Sequence, residues 1–125
     1  MKILVVNALL DEVRSLRRIM GPQHEVWCAN GFKSAETMFK SFKPDAVVLS
    51  ISDLSPSYQL LVEALQKNKH CPIVAFAPFT HLKLIQQVLD WGVDAYLSSP
   101  CDMQRVKKRL EWLMEDNPAG TAANR

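Results

Sequence analysis

Short runs of consecutive apolar residues alternate along the chain with longer stretches whose apolar positions recur at helical spacing. The first run, Lys2 to Val6 (KILVV), predicts a parallel strand buried on both faces. A helix over Leu10 to Met20 follows, with Val13, Leu16, Ile19 and Met20 on one face and Arg14, Arg17 and Arg18 on the other. Gly21-Pro22 ends it, and Glu25 to Ala29 (EVWCA) reads as a second strand. Asn30-Gly31 turns the chain into a helix with Ala35, Met38, Phe39 and Phe42 inward. Lys43-Pro44 stops that helix, because the residue before a proline is pushed out of the helical region.

The third strand is the most apolar, Asp45 to Ile51 (DAVVLSI). A polar loop, Ser52 to Ser57, leads to a helix expected to bury Leu60, Leu61, Ala64 and Leu65. Pro72 to Ala77 (PIVAFA) is the fourth strand. Thr80 is placed to cap a helix that buries Leu82, Ile85, Val88 and Leu89 and ends at Gly92. Asp94 to Ser98 (DAYLS) is the fifth strand. Asp102 caps the last helix, whose inward stripe is Met103, Val106, Leu110 and Leu113.

Regular strand–helix alternation implies an α/β fold: a parallel five-stranded sheet, doubly wound, with helices on both faces in a three-layer sandwich. The expected strand order is 2-1-3-4-5, the flavodoxin-like arrangement, in which a site lies beyond the carboxyl ends of the strands. That topology singles out Asn7–Ala8, Ser50–Ser52, Ala77–Pro78 and Ser98–Ser99.

With 125 residues, 48% of them hydrophobic and 22% charged, the chain suits one globular domain, residues 1–115. Residues 116–125, with nothing to bury, read as a flexible tail or truncated linker. The longest apolar runs fall short of a membrane span, and no secretory leader is recognisable at the start, so a cytoplasmic location is expected. A formal charge of +2 does not imply nucleic acid. Three cysteines (Cys28, Cys71, Cys101) without CxxC spacing suggest neither a disulfide framework nor zinc, and are expected to be reduced and mostly buried.

The residues at the strand ends carry little chemistry. None is a carboxylate, lysine, histidine or cysteine, so a hard cation finds no carboxylate oxygens there, and no metal or cofactor is expected. Asp53 is the closest acid. Asp11 and Glu12 suit the first turn of the first helix, where its dipole favours them. Ser50 has no histidine at a neighbouring strand end to act as its base: His24 and His70 precede strands, and His81 opens a helix. No glycine-rich phosphate loop is present.

The order and spacing of KILVV, ANGFKSAE, KPDAVVLSISDL, PIVAFA and GVDAYLSSP resemble the receiver domains of two-component response regulators over about residues 2 to 115. The resemblance implies that Asn7 and Ala8 stand where that family has metal-binding acids and Ser50 where it has the phosphoacceptor aspartate. It also implies that Ala77 replaces the phosphoryl-contacting Thr or Ser, and Ser99 the lysine. Pro100 matches the family's cis-proline and Tyr96 its aromatic switch. Aspartyl phosphorylation needs a carboxylate nucleophile, a cation and preorganised donors. The chain is therefore expected to be a degenerate, non-enzymatic receiver acting in signal transduction by protein–protein contact.

Two alternatives stand beside that expectation: phosphorylation at a non-standard acceptor, Asp53 or Ser50, and a small uncharged ligand in the neutralised cleft. Tyr96 is either held in one rotamer by the space beside Ala77 or packed with its hydroxyl in water. The resemblance implies a protein partner or a homodimer on the face of the fourth helix, fifth strand and fifth helix, with Trp91, Tyr96 and Trp112 as anchors. No membrane contact is expected. The run Arg105, Lys107, Lys108 and Arg109 reads as a solvated helix face, so direct nucleic-acid binding is not expected, although an effector domain beyond the tail could bind DNA.

Overall fold

Alternate residues of each central strand enter opposite layers, and this is why the strands read as unbroken apolar runs. A computed structural model describes residues 1–67, 71–99 and 102–115. His70, Pro100, Cys101 and residues 116–125 lie outside the described residues, and with them the expectations placed on the proline and the tail. The elements are β1 (Lys2–Val6), α1 (Leu10–Met20), β2 (Glu25–Ala29), α2 (Phe32–Phe42), β3 (Ala46–Ser50), α3 (Pro56–Gln66), β4 (Ile73–Ala77), α4 (Leu82–Asp90), β5 (Ala95–Ser98) and α5 (Met103–Met114).

The strands form one parallel sheet in the order β2-β1-β3-β4-β5, as expected. Ile3, Val5, Val48, Val74 and Phe76 pack into a layer with Val13 and Leu16 of α1 and Val106 and Leu110 of α5. Leu4, Val6, Val47, Leu49, Ile73 and Ala75 pack on the other face with residues of α2, α3 and α4. Both layers are buried apolar cores, each stabilising the sheet through area removed from water.

Several local expectations are corrected. The loop after β3 is shorter than Ser52 to Ser57, because Pro56 at the first helical position starts α3, with Ser55 as its cap. The inward stripe of α3 is accordingly Tyr58, Leu61, Val62 and Leu65, while Leu60 is 64% exposed. His81, not Thr80, caps α4, its ring Nδ1 accepting from the Lys83 N–H at 3.2 Å. In α4 only Val88 is fully buried; Leu82 is 80% exposed and Leu89 is also exposed. The helix is short and lies toward the edge of the sheet, so its apolar stripe is wider than the surface it covers.

The strand ends shift by a residue or two: Asp45, Ile51, Pro72 and Asp94 fall outside β3, β4 and β5. Cys71 is buried, but Cys28 is exposed because it sits on the edge strand β2. Beside it Trp27 stacks on Phe42 with ring centres 4.3 Å apart, and the Lys2 ammonium lies 5.5 Å from the Phe42 ring centre.

Candidate functional site at the carboxyl rim

The residues after the last paired positions of β1 and β3, Val6 and Leu49, are Asn7 and Ser50, so parallel pairing carries both to the same rim. Asn7 adopts a left-handed backbone with φ 61°. Its amide N–H donates to the Ala29 carbonyl at 2.9 Å, and its side-chain oxygen accepts from the Gly31 N–H at 2.8 Å. Asparagine is one of the few non-glycine residues that tolerate this conformation. Asn7 therefore clamps the end of β1 to the turn between β2 and α2, a role that periodicity does not reveal. Asn7→Ala is expected to destabilise the fold by about 1 kcal/mol through the lost hydrogen bond and the strained backbone. Asn7→Gly, which relaxes the backbone but also loses the bond, is expected to cost less; thermal denaturation of the pair separates the two contributions.

Ala8 is half-buried, and the leucines that follow it, Leu9 and Leu10, are exposed. Asp11 and Glu12 occupy the first turn of α1, as expected, and a Glu12 carboxylate oxygen accepts from the Leu9 N–H at 2.8 Å. These acids hold the helix start rather than facing a ligand.

Ser50 is half-buried at the end of β3. Beyond it the loop is held by its own side chains. Ser52 and Tyr58 hydroxyls lie 3.1 Å apart, and an Asp53 carboxylate oxygen accepts from the Ser55 N–H at 2.8 Å. The ring of Tyr58 is buried edge-on against Phe32 at 5.1 Å. A loop running to Ser57 hides the part Tyr58 plays in holding this segment; its spacing with Leu61, Val62 and Leu65 is the signal in the sequence that reveals it.

On the other side of the rim the loop after β4 is pinned to β5. The Ala77 carbonyl accepts from the Ser99 N–H at 2.7 Å and the Tyr96 hydroxyl at 3.0 Å. The Phe79 carbonyl accepts from the same hydroxyl at 2.7 Å and from Ser98 Oγ at 3.1 Å. A single hydroxyl proton is shared between the two carbonyls in a three-centre arrangement. The reading that left this hydroxyl in water is corrected: it is turned to backbone acceptors. Burial pushes the Tyr96 phenol above its ordinary value near 10.

Asn7, Ser50, Ala77 and Ser99 thus meet at one rim. Tyr96 adjoins it, while Trp91 is half-buried against the core below and Trp112 is half-buried on α5, with the Arg109 guanidinium 6.0 Å from its ring centre. Among the described residues no group of three or more histidine, cysteine or acidic side chains is placed to hold a metal ion. No helix among them is long and apolar enough to cross a membrane.

No protein-family model and no curated protein matches the chain. Solved structures do match. A two-component response regulator from Clostridium difficile superposes with a TM-score of 0.80 at 22% identity, over 93% of this chain and 97% of that one. The BeF3-activated N-terminal receiver domain of RstA from Klebsiella pneumoniae gives 0.79 at 20% identity, over 93% of this chain and 100% of that one. The pilus assembly protein CpaE from Caulobacter crescentus gives 0.70 at 15% identity, over 90% and 98%. The chain has the receiver fold of response regulators. The same fold also occurs in a protein described by pilus assembly, so the fold by itself does not specify the chemistry at its rim.

Proposed function

We propose that this chain is a pseudo-receiver: a signalling module of the two-component type that acts by contact with another protein and is not switched by aspartyl phosphorylation. The observation that carries this reading is the composition of the rim. Asn7, Ala8, Ser50, Ala77 and Ser99 offer neither a carboxylate to accept a phosphoryl group nor a lysine to neutralise it. Asn7 is spent on clamping two loops, and Asp53 on bracing its own. A phosphoryl dianion at Ser50 would meet no cationic side chain among these rim residues.

The contact surface in this reading is the face of α4, β5 and α5. Leu82, Leu89 and Met114 are exposed on its helices, and Trp91, Tyr96 and Trp112 contribute aromatic surface. Incubation with Mg²⁺ and acetyl phosphate followed by intact-mass measurement tests the chemistry. An unchanged mass is expected. A phosphoryl adduct would transfer the function to an unusual acceptor, and its mapping to Asp53 or Ser50 would say which. Sedimentation tests the face: if the partner is a second copy, the dimer is lost in Trp112→Glu.

A further inference from the structure

A cavity of about 330 Å³ opens between α2 and α3, at the end of the domain opposite the rim. Its floor is apolar, built from Phe39, Pro44, Ala64 and Leu65, and its mouth carries Lys40 and Lys43. The volume is at the small end of the range for ligand pockets, and an apolar floor with few polar groups at the mouth is their usual construction. Both lysines are exposed, and neither side-chain ammonium has a hydrogen-bond or ion-pair partner among the described residues.

Lys43 is the second observation. It ends α2 in a left-handed conformation, φ 53° and ψ 63°, its N–H donating to the Phe39 carbonyl. That position is ordinarily glycine. The following Pro44 makes the conformation harder still, since a residue before proline is driven toward extended backbone. A lysine therefore occupies a place where the fold alone favours glycine. Strain kept at the mouth of a pocket points to use of the side chain. Glu36, one turn before Lys40, also lines the cavity, so its charge disfavours a second anionic group on the ligand.

We infer that this cleft binds a compact amphipathic monoanion, an apolar body seated on Phe39, Pro44, Ala64 and Leu65 with its single carboxylate between Lys40 and Lys43. The site is independent of the rim and of its phosphorylation chemistry.

The probe is 3-phenylpropionate, with its isosteric amide as the uncharged control, followed by amide-resonance shifts of the intact chain. Saturable shifts confined to the C-terminal halves of α2 and α3 are expected. The amide should bind about fivefold more weakly, the factor one exposed ion pair supplies. Lys43→Gly should weaken the acid by a similar factor and raise the melting temperature, because the backbone strain is relieved while the charge is lost. Ala64→Trp should fill the cleft and abolish binding of both probes. Equal binding of acid and amide, shifts located elsewhere, or no saturation at about 10 mM, well above a millimolar dissociation constant, would each overturn the assignment. A Lys43→Gly chain that is less stable than the parent would overturn the reading of the strain, whatever happens to Ala64→Trp.

Discussion

Placing acids at the rim in the triple variant Asn7→Asp/Ala8→Asp/Ser50→Asp is expected to destabilise the fold by about 2–4 kcal/mol at neutral pH in metal-free buffer. For a domain of this size that is a fall in melting temperature of roughly 10 °C. The three positions lie at neighbouring strand ends, and Ala8 and Ser50 are half-buried, so the new carboxylates repel one another with incomplete screening by water. The Asn7→Asp change contributes least, since a carboxylate can still accept from the Gly31 N–H. Repulsion raises the folded-state carboxyl pKa values above those of the unfolded chain. The penalty is therefore fully present above the raised values, shrinks as pH falls, and vanishes below about pH 4, where both states are protonated. Added Mg²⁺ should recover part of the loss by neutralising the cluster. Thermal melts of variant and parent across this pH range check the prediction, and an unchanged or higher melting temperature at neutral pH would refute it.

Removing the Tyr96 hydroxyl is the second large expected effect. Tyr96→Phe should cost about 1–2 kcal/mol, because the hydroxyl joins β5 to two carbonyls of the loop after β4. Tyr96→Ala should cost about 3–4 kcal/mol, adding the loss of a ring packed against the core. In Tyr96→Phe the Ser99 and Ser98 contacts to the same carbonyls remain, so the loop loosens without detaching. Amide exchange should accordingly quicken between Pro78 and Lys83 while the strands keep their protection. The pH dependence provides an independent check. A raised phenol pKa means the fold favours the protonated hydroxyl. Its stabilisation is complete below about pH 10 and is lost as pH rises through the folded-state value. The parent should therefore lose stability on the alkaline side with a slope that Tyr96→Phe lacks.

The strands were legible because each must fill two layers at once, which writes itself as consecutive Val, Leu and Ile; β1 and β2 carry the predicted boundaries. Helix α1 was equally plain from its single inward stripe. The third helix was not, because Pro56 is both a loop former and a favoured first helical residue, and choosing the loop moved the stripe from Tyr58 to Leu60. Likewise Thr80 and His81 both carry a side-chain acceptor, and only the three-dimensional path of the loop selects His81. At the rim the sequence yields which residue types are present, but not what holds them. The clamp made by Asn7 and the anchoring of Tyr96 are bonds to backbone groups far along the chain, and such partners leave no periodic trace.

The two borders of the sheet carry a consequence for how copies of this chain meet. The outer strands β2 and β5 are five and four residues long. At the first, Glu25 of β2 and its neighbour Lys2 of β1 place charge beside the stack of Trp27 on Phe42 of α2. Brief, charge-flanked borders are poor templates for an incoming strand. Concentrated solutions should therefore resist ribbon-like polymerisation, and copies that meet do so by side-chain contact rather than by extending the sheet.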